Sequence, residues 1–99
     1  MIKVLIFGAG EGGRKVVDML NEDNVEILGY IDNDERKTGQ KIYGKEVMLP
    51  EKISGFNYDY ILIASMYFNE IFNQLINMGI NESKIVEIYG LNSNASKDL

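Results

Sequence analysis

The chain contains 99 residues, the size of one domain, and its hydrophobic fraction of 45% and charged fraction of 25% are those of an ordinary soluble globular protein. Its net charge of −5 disfavours nonspecific binding to nucleic-acid phosphates, and no apolar run is long enough to cross a membrane as a helix. The sequence has no Cys and no His, which excludes disulfides, zinc–thiolate sites, imidazole metal ligands and a Ser-His-Asp triad.

The first predicted element is an apolar strand over residues 2–7, which suits a parallel sheet covered on both faces. It leads into the pattern GAGEGG, in which Gly8 permits a tight turn, Gly10 lets a pyrophosphate approach the backbone, and Gly13 lets a helix pack on the sheet. The free N–H groups of that helix would form an anion site without a basic side chain. On the motif alone, the alternative that the glycines serve only strand–helix packing stays open.

The predicted helix covers residues 12–21, and a second apolar strand follows over residues 25–31. Asp32 ends that strand, 19 residues after Gly13. A carboxylate at this position can accept both ribose hydroxyls of an adenosine and repels a 2′-phosphate, so the pattern favours NAD over NADP. The alternative role for Asp32 is that of a strand-end cap or a turn former before Asn33.

Residues 33–45 read as an exposed connection, with a short extended piece at 41–43. Arg36 and Lys37 in this segment could suggest a 2′-phosphate site, but Asp32 argues against it. A short strand at residues 46–48 and a short helix at 50–54, with Pro50 in its first position, come next.

A further strand is predicted over residues 59–64, followed by a helix over 68–78 and a final short strand over 84–88. The end of the 59–64 strand borders the same crevice as the glycine loop in a doubly wound sheet. Four stretches of the chain together resemble the Rossmann-like domain of polysaccharide-biosynthesis proteins. They are KVLIFGAGEGGRKVVDML, EILGYIDND, the pattern of glycine, isoleucine and valine over residues 39–47, and DYILIAS. Residues 91–99 have the composition of a tail or linker.

This resemblance covers about residues 2–90 and includes two groups. One is the N-terminal segment of nucleotide-sugar 4,6-dehydratases and related sugar transferases, and the other is the N-terminal domain of sialic-acid-type sugar acyltransferases. It implies a nucleotide or nucleotide-sugar ligand, with the glycine loop on phosphate and Asp32 near ribose or base. The acyltransferases differ by a His in the glycine loop and by a following β-helix, and the dehydratases carry their catalytic Tyr and Lys in a second domain.

The pattern therefore predicts an α/β fold: a Rossmann-like three-layer sandwich over residues 1–90, with a parallel sheet of four to five strands in the order 3-2-1-4-5. We expect the cofactor-binding residues to come from the glycine loop and from the ends of the strands at 25–31 and 59–64. These candidates are Gly8, Ala9, Gly10, Glu11, Gly12, Gly13, Arg14, Asp32, Asn33, Ala64 and Ser65.

The predicted function is that of a module that binds NAD(H) or a nucleotide-sugar in sugar-nucleotide or polysaccharide biosynthesis. NAD and a UDP-sugar both present a diphosphate, so this choice stays open. No Tyr has a Lys four residues later, and no base–nucleophile pair is recognised. We therefore expect no activity from the domain alone; any associated enzyme would be of the epimerase/dehydratase type.

The alternatives are a ligand-sensing regulatory domain and a structural domain that has lost its ligand. We expect no metal site, no nucleic-acid partner and no membrane insertion. A homo-oligomer and a covalently linked catalytic domain both stay open as partners. The first predicted strand begins directly at the N-terminus, without room for a signal peptide, so a cytoplasmic location is expected.

Overall fold

The computed structural model describes residues 1–20 and 23–88. Within these ranges six strands form one sheet. The strands are β1 (Ile2–Phe7), β2 (Val25–Ile31), β3 (Lys41–Ile42), β4 (Lys45–Met48), β5 (Tyr60–Ile63) and β6 (Ile85–Glu87). The helices are α1 (Glu11–Met19) and α2 (Phe68–Asn77), with short 3₁₀ helices at Glu35–Lys37, Pro50–Gly55 and Glu82–Lys84. The predicted tail at 91–99 and the predicted end of the first helix at Asn21 lie outside the described residues.

The sheet is mixed. Strand β1 pairs in parallel with β2 and β5, β2 with β4, and β5 with β6, but β3 pairs antiparallel with β4. The prediction of a parallel sheet of four to five strands was therefore wrong. The observed order, β3-β4-β2-β1-β5-β6, also differs from the predicted 3-2-1-4-5. The physical cause is the turn at Tyr43 and Gly44, whose φ angles of 49° and 80° fold residues 41–42 back onto β4 as a hairpin.

Two apolar layers cover the two faces of the sheet. On one face Val4 and Ile6 pack in a cluster with Val16 of α1, and on the other face Leu5 and Phe7 pack with Leu75 of α2. Because side chains alternate along a strand, covering both faces requires every residue of β1 from Val4 to Phe7 to be apolar. This gives the three-layer arrangement of helix, sheet and helix.

The spacing of Ile71, Phe72, Leu75 and Ile76 predicts one apolar stripe on α2, which the structure confirms at its centre but not at its edge. Ile71 and Leu75 are buried and Phe72 is half-buried, but Ile76 is 38% exposed. Ile76 directly follows Leu75, and successive helical residues are about 100° apart, so only one of the two can point fully at the sheet. No helix within the described ranges has the length and apolar character that crossing a membrane requires.

Tyr30 of β2 is fully buried in the layer beneath α1, and its hydroxyl has no hydrogen-bond partner in the described part of the chain. Burial raises the pKa of this hydroxyl above its usual value. A buried polar group without a partner loses its hydration without compensation, which lowers the stability of the folded state.

We therefore expect Tyr30→Phe to raise the free energy of unfolding by about 1 kcal/mol, because the substitution removes an unsatisfied hydroxyl and keeps the ring. Urea denaturation of the two proteins measures the difference. Tyr60→Phe is the control, since Tyr60 is 38% exposed and its hydroxyl can reach water; its effect should stay within about 0.5 kcal/mol. A less stable Tyr30→Phe protein would contradict the prediction.

Candidate functional site

A crevice of about 820 Å³ lies where the chain leaves the carboxyl ends of β1, β2 and β5. Its volume is in the range of small-molecule sites, and its position agrees with the rule that ligands of open α/β sheets bind at the carboxyl ends of the strands. Seven of the predicted site residues line it: Gly8, Gly10, Gly12, Asp32, Asn33, Ala64 and Ser65.

Three glycines of the loop are required by packing. Gly8 has a φ of +127°, and a Cβ added to Gly8 or to Gly12 would lie 2.6 Å from the carbonyl oxygen of Ala64. A Cβ on Gly13 would overlap the carbonyl oxygen of Gly8. These contacts bring α1 close to the ends of β1 and β5, and the space between them admits no side chain.

Gly10 is different. Its φ of −91° is ordinary for any residue, and among the described residues a Cβ added there would meet only the Nζ atom of Lys37, at 3.6 Å. Neither the backbone conformation nor internal packing requires a glycine at this position. The space above Gly10 instead opens into the crevice.

The N-terminus of α1 faces this opening without a side-chain cap. Gly10 is the N-cap residue, and the first helical hydrogen bond runs from the N–H of Arg14 to the carbonyl of Gly10. The preceding N–H groups have no acceptor within the helix. Glu11 does not compete for them, because its side chain is 83% exposed and pairs with Lys15 at 3.5 Å on the outer surface. This end of α1 can therefore accept an anion.

Asp32 connects the glycine loop to the end of β2. Its Oδ2 atom accepts a hydrogen bond from the N–H of Ala9 at 2.9 Å, and Oδ1 accepts one from the N–H of Asp34 at 2.8 Å. The side chain is 18% exposed and lines the crevice. Asp32 therefore has the turn-forming role that the sequence left open. Each carboxylate oxygen keeps a second lone pair, so a further donor can still bind.

The connection after β2 contributes three polar groups to the crevice. Asn33 and Gln74 of α2 exchange two side-chain amide hydrogen bonds of 2.9 and 2.8 Å. The guanidinium and backbone N–H of Arg36 hold the pKa of the Asp34 carboxyl below its usual value. The Nζ atom of Lys37 lies 3.8 Å from Oδ2 of Asp32.

The segment between β5 and α2 forms the remaining wall. The Oγ atom of Ser65 accepts a hydrogen bond from the N–H of Tyr67 at 3.1 Å, which fixes the turn that follows the strand. Met66 and Tyr67 are 75% and 62% exposed beside the crevice, so this wall presents an apolar surface. The described residues hold no cluster of three or more acidic side chains that could bind a metal ion.

Four predicted site residues lie outside the crevice lining. Ala9 is buried under the loop, Gly13 packs against Gly8, and the side chains of Glu11 and Arg14 are exposed. Gln74 was not among the predicted site residues, and α2 brings it to the crevice one turn after Glu70. Residues four apart lie on the same face of a helix, so the position of Glu70 could have indicated Gln74 as a site residue.

The comparisons support the fold. Comparison with curated proteins gives no significant match. Among solved structures, UDP-D-quinovosamine 4-dehydrogenase from Vibrio fischeri is 23% identical, with a TM-score of 0.74, and the alignment covers 99% of this chain and 86% of that chain. RSP, a Rex-family repressor, is 18% identical with a TM-score of 0.71, covering 99% of this chain and 57% of that chain. RSP is also known in complex with β-NADH, and with β-NAD⁺ and operator DNA. At these identities the likeness establishes a Rossmann-like fold.

A family model described as "C2185-like, N-terminal" matches residues 1–86. The match spans most of the chain, and the chain belongs to this family.

The packing around the loop predicts that alanine destabilises the protein to very different extents at two of its glycines. Gly13→Ala should lower the free energy of unfolding by about 2 kcal/mol or more, because the new methyl overlaps the Gly8 carbonyl. Gly10→Ala should lower it by less than about 1 kcal/mol, the difference between glycine and alanine as an N-cap. Urea denaturation measures both, and equal losses would show that the loop is not packed as described.

Proposed function

We propose that this member of the C2185-like N-terminal family is a nucleotide-binding module whose crevice binds NAD(H). A nucleotide-sugar of the UDP-sugar type is the alternative ligand. The module supplies binding and no chemistry of its own, and it acts with an enzyme of sugar-nucleotide or polysaccharide biosynthesis, of the epimerase/dehydratase type.

The observation that carries this proposal is the position of Gly10. The other three glycines that surround it are explained by internal packing, whereas within residues 1–20 and 23–88 Gly10 has only the Lys37 ammonium near its missing Cβ. A glycine at the uncapped N-terminus of a helix lets an anionic group approach the backbone N–H groups. The diphosphate of NAD or of a nucleotide-sugar has the charge and size for this position.

Asp32 distinguishes among the nucleotides. Two of its acceptor positions are used by Ala9 and Asp34, and the remaining lone pairs can accept the hydroxyls of a ribose. The same carboxylate repels a 2′-phosphate, which favours NAD(H) over NADP(H). Ala64 and Ser65, at the end of β5, would border the same ligand from the opposite wall.

The similar structures support both ligand classes. RSP is described in complex with β-NADH, which supports the dinucleotide. The Vibrio fischeri protein is named as a UDP-D-quinovosamine 4-dehydrogenase, which supports the link to nucleotide-sugars.

A ligand-sensing regulatory role is the second candidate, because RSP is a repressor whose complex with β-NAD⁺ also contains operator DNA. In this chain the net charge of −5 opposes direct phosphate binding by the surface as a whole. We therefore keep the prediction that the chain itself does not bind nucleic acid. An oligomeric state that changes with NADH would favour the regulatory role.

Wild-type protein should be stabilised by NADH, and Gly10→Val should lose that stabilisation, because the valine side chain fills the space that a diphosphate needs. At a ligand concentration of about a hundred times Kd, the stabilisation is roughly 2.7 kcal/mol, or about 10 °C or more in Tm for a domain of this size. Thermal shift measurements with NAD⁺, NADH, NADP⁺ and UDP-N-acetylglucosamine test the ligand class.

Gly55→Val is the matched control. Gly55 has ordinary backbone geometry, no atom of the other described residues lies within 4 Å of an added Cβ, and it does not line the crevice. It should keep the wild-type shift. An undiminished shift in Gly10→Val would contradict the proposed site, a shift with the nucleotide-sugar alone would favour the alternative ligand, and no shift with any ligand would favour a structural domain.

A further inference from the structure

We propose that Lys37 supplies the cation that binds the diphosphate of the ligand, so that Asp32 and Lys37 contact adjacent parts of one nucleotide. The inference rests on the proposed function and extends it by assigning a phosphate-binding side chain from outside the glycine loop. It also restricts the ligand to nucleosides that carry a diphosphate.

The turn after β2 places the neighbouring cations Arg36 and Lys37 in different surroundings. Asp34 caps the 3₁₀ helix Glu35–Lys37 by accepting the N–H of Arg36 at 3.0 Å, and its two carboxylate oxygens also accept Nε and Nη2 of Arg36 at 3.0 Å each. Arg36 is thereby held at the surface, with its side chain 89% exposed. Lys37 follows on the opposite side of the turn, and its side chain is 35% exposed and lines the crevice.

The ammonium of Lys37 lies between the two groups that the proposed ligand would contact. It is 3.8 Å from Oδ2 of Asp32 and 3.6 Å from the Cβ position of Gly10. The same Oδ2 already accepts the N–H of Ala9. A partly exposed ion pair at this distance is weak. A phosphate above Gly10 can therefore attract the ammonium while ribose hydroxyls bind the carboxylate.

The charge of the crevice favours a cation at this position. Three carboxylates, from Asp32, Asp34 and Glu70, line it, and Lys37 is the only cationic side chain among its lining residues in the described part of the chain. Arg36 compensates Asp34, which leaves Asp32 and Glu70 to repel an incoming diphosphate. The helix N-terminus offers roughly half a positive charge. Without Lys37 the local charge would oppose a diphosphate.

The Lys37 ammonium could also contact the 2′-phosphate of NADP(H), but the structure favours the diphosphate. A 2′-phosphate would occupy the position of the ribose hydroxyls beside Asp32, where the carboxylate repels it. In the part of the chain that the structure describes, no carboxylate lies within 4 Å of the missing Cβ of Gly10. Lys37 is therefore assigned to the diphosphate.

The test compares Lys37→Met with Lys41→Met by isothermal titration with adenosine, ADP, NADH and NADPH. Lys41→Met makes the same charge change at an exposed position on β3, outside the crevice. We expect Lys37→Met to bind ADP and NADH about tenfold more weakly, since it loses a charge-assisted contact. Adenosine should bind within about twofold of wild type, and Lys41→Met should bind every ligand within about twofold.

Three further measurements separate a phosphate contact from a structural role. Lys37→Arg should restore most of the affinity for ADP, because it keeps the charge. Raising the salt concentration from about 50 to 300 mM should weaken NADH binding more in wild type than in Lys37→Met, because salt screens the lost ion pair. Without ligand, Lys37→Met should melt within about 2 °C of wild type.

Four outcomes would overturn the inference. Unchanged NADH and ADP binding in Lys37→Met would overturn it and leave the proposed function intact. A loss confined to NADPH would assign Lys37 to a 2′-phosphate, and an equal loss for adenosine would assign it a structural role. Absence of NADH and ADP binding in wild-type protein would overturn the NAD(H) proposal and, with it, the assignment of Lys37 to the diphosphate of NAD(H).

Discussion

The close approach of α1 to the sheet is the contact on which the candidate site depends. Gly13 lies against the carbonyl of Gly8, and Gly8 and Gly12 lie against the carbonyl of Ala64. Because no side chain fits between these backbones, the helix N-terminus is held at the carboxyl ends of β1 and β5. The unpaired N–H groups of the helix therefore face the crevice, and the position of Gly10 is a consequence of this packing.

Asp32 adds a second constraint, which is polar. Its two carboxylate oxygens hold the N–H of Ala9 in the glycine loop and the N–H of Asp34 in the next turn. One side chain thus fixes the distance between the loop after β1 and the loop after β2. The sequence left a structural role and a ligand-binding role of Asp32 open as alternatives. Here the structural one is observed, and the remaining lone pairs leave room for the other.

The local sequence was sufficient to predict an element of the fold where its residue pattern has a single physical explanation. The apolar run of β1 required a strand covered on both faces, and β1 and β2 were predicted over the same residues that the structure assigns to them. The edge of the sheet was not predicted in full. β3 has two residues, and the turn at Tyr43 and the antiparallel pairing with β4 determine its position. Two residues are too few for their apolar pattern to specify this pairing.

The sequence by itself determined the glycine loop, the strand that precedes it and the acidic residue at the end of β2, because each of these is a local pattern of residue types. Only the tertiary structure decided which of the glycines are used for packing and that Gly10 is not among them. It also decided that Lys37 points into the crevice while Arg36 points away, and that Gln74 reaches Asn33. These are contacts between segments distant in sequence, and their geometry arises only when the helices and strands pack together.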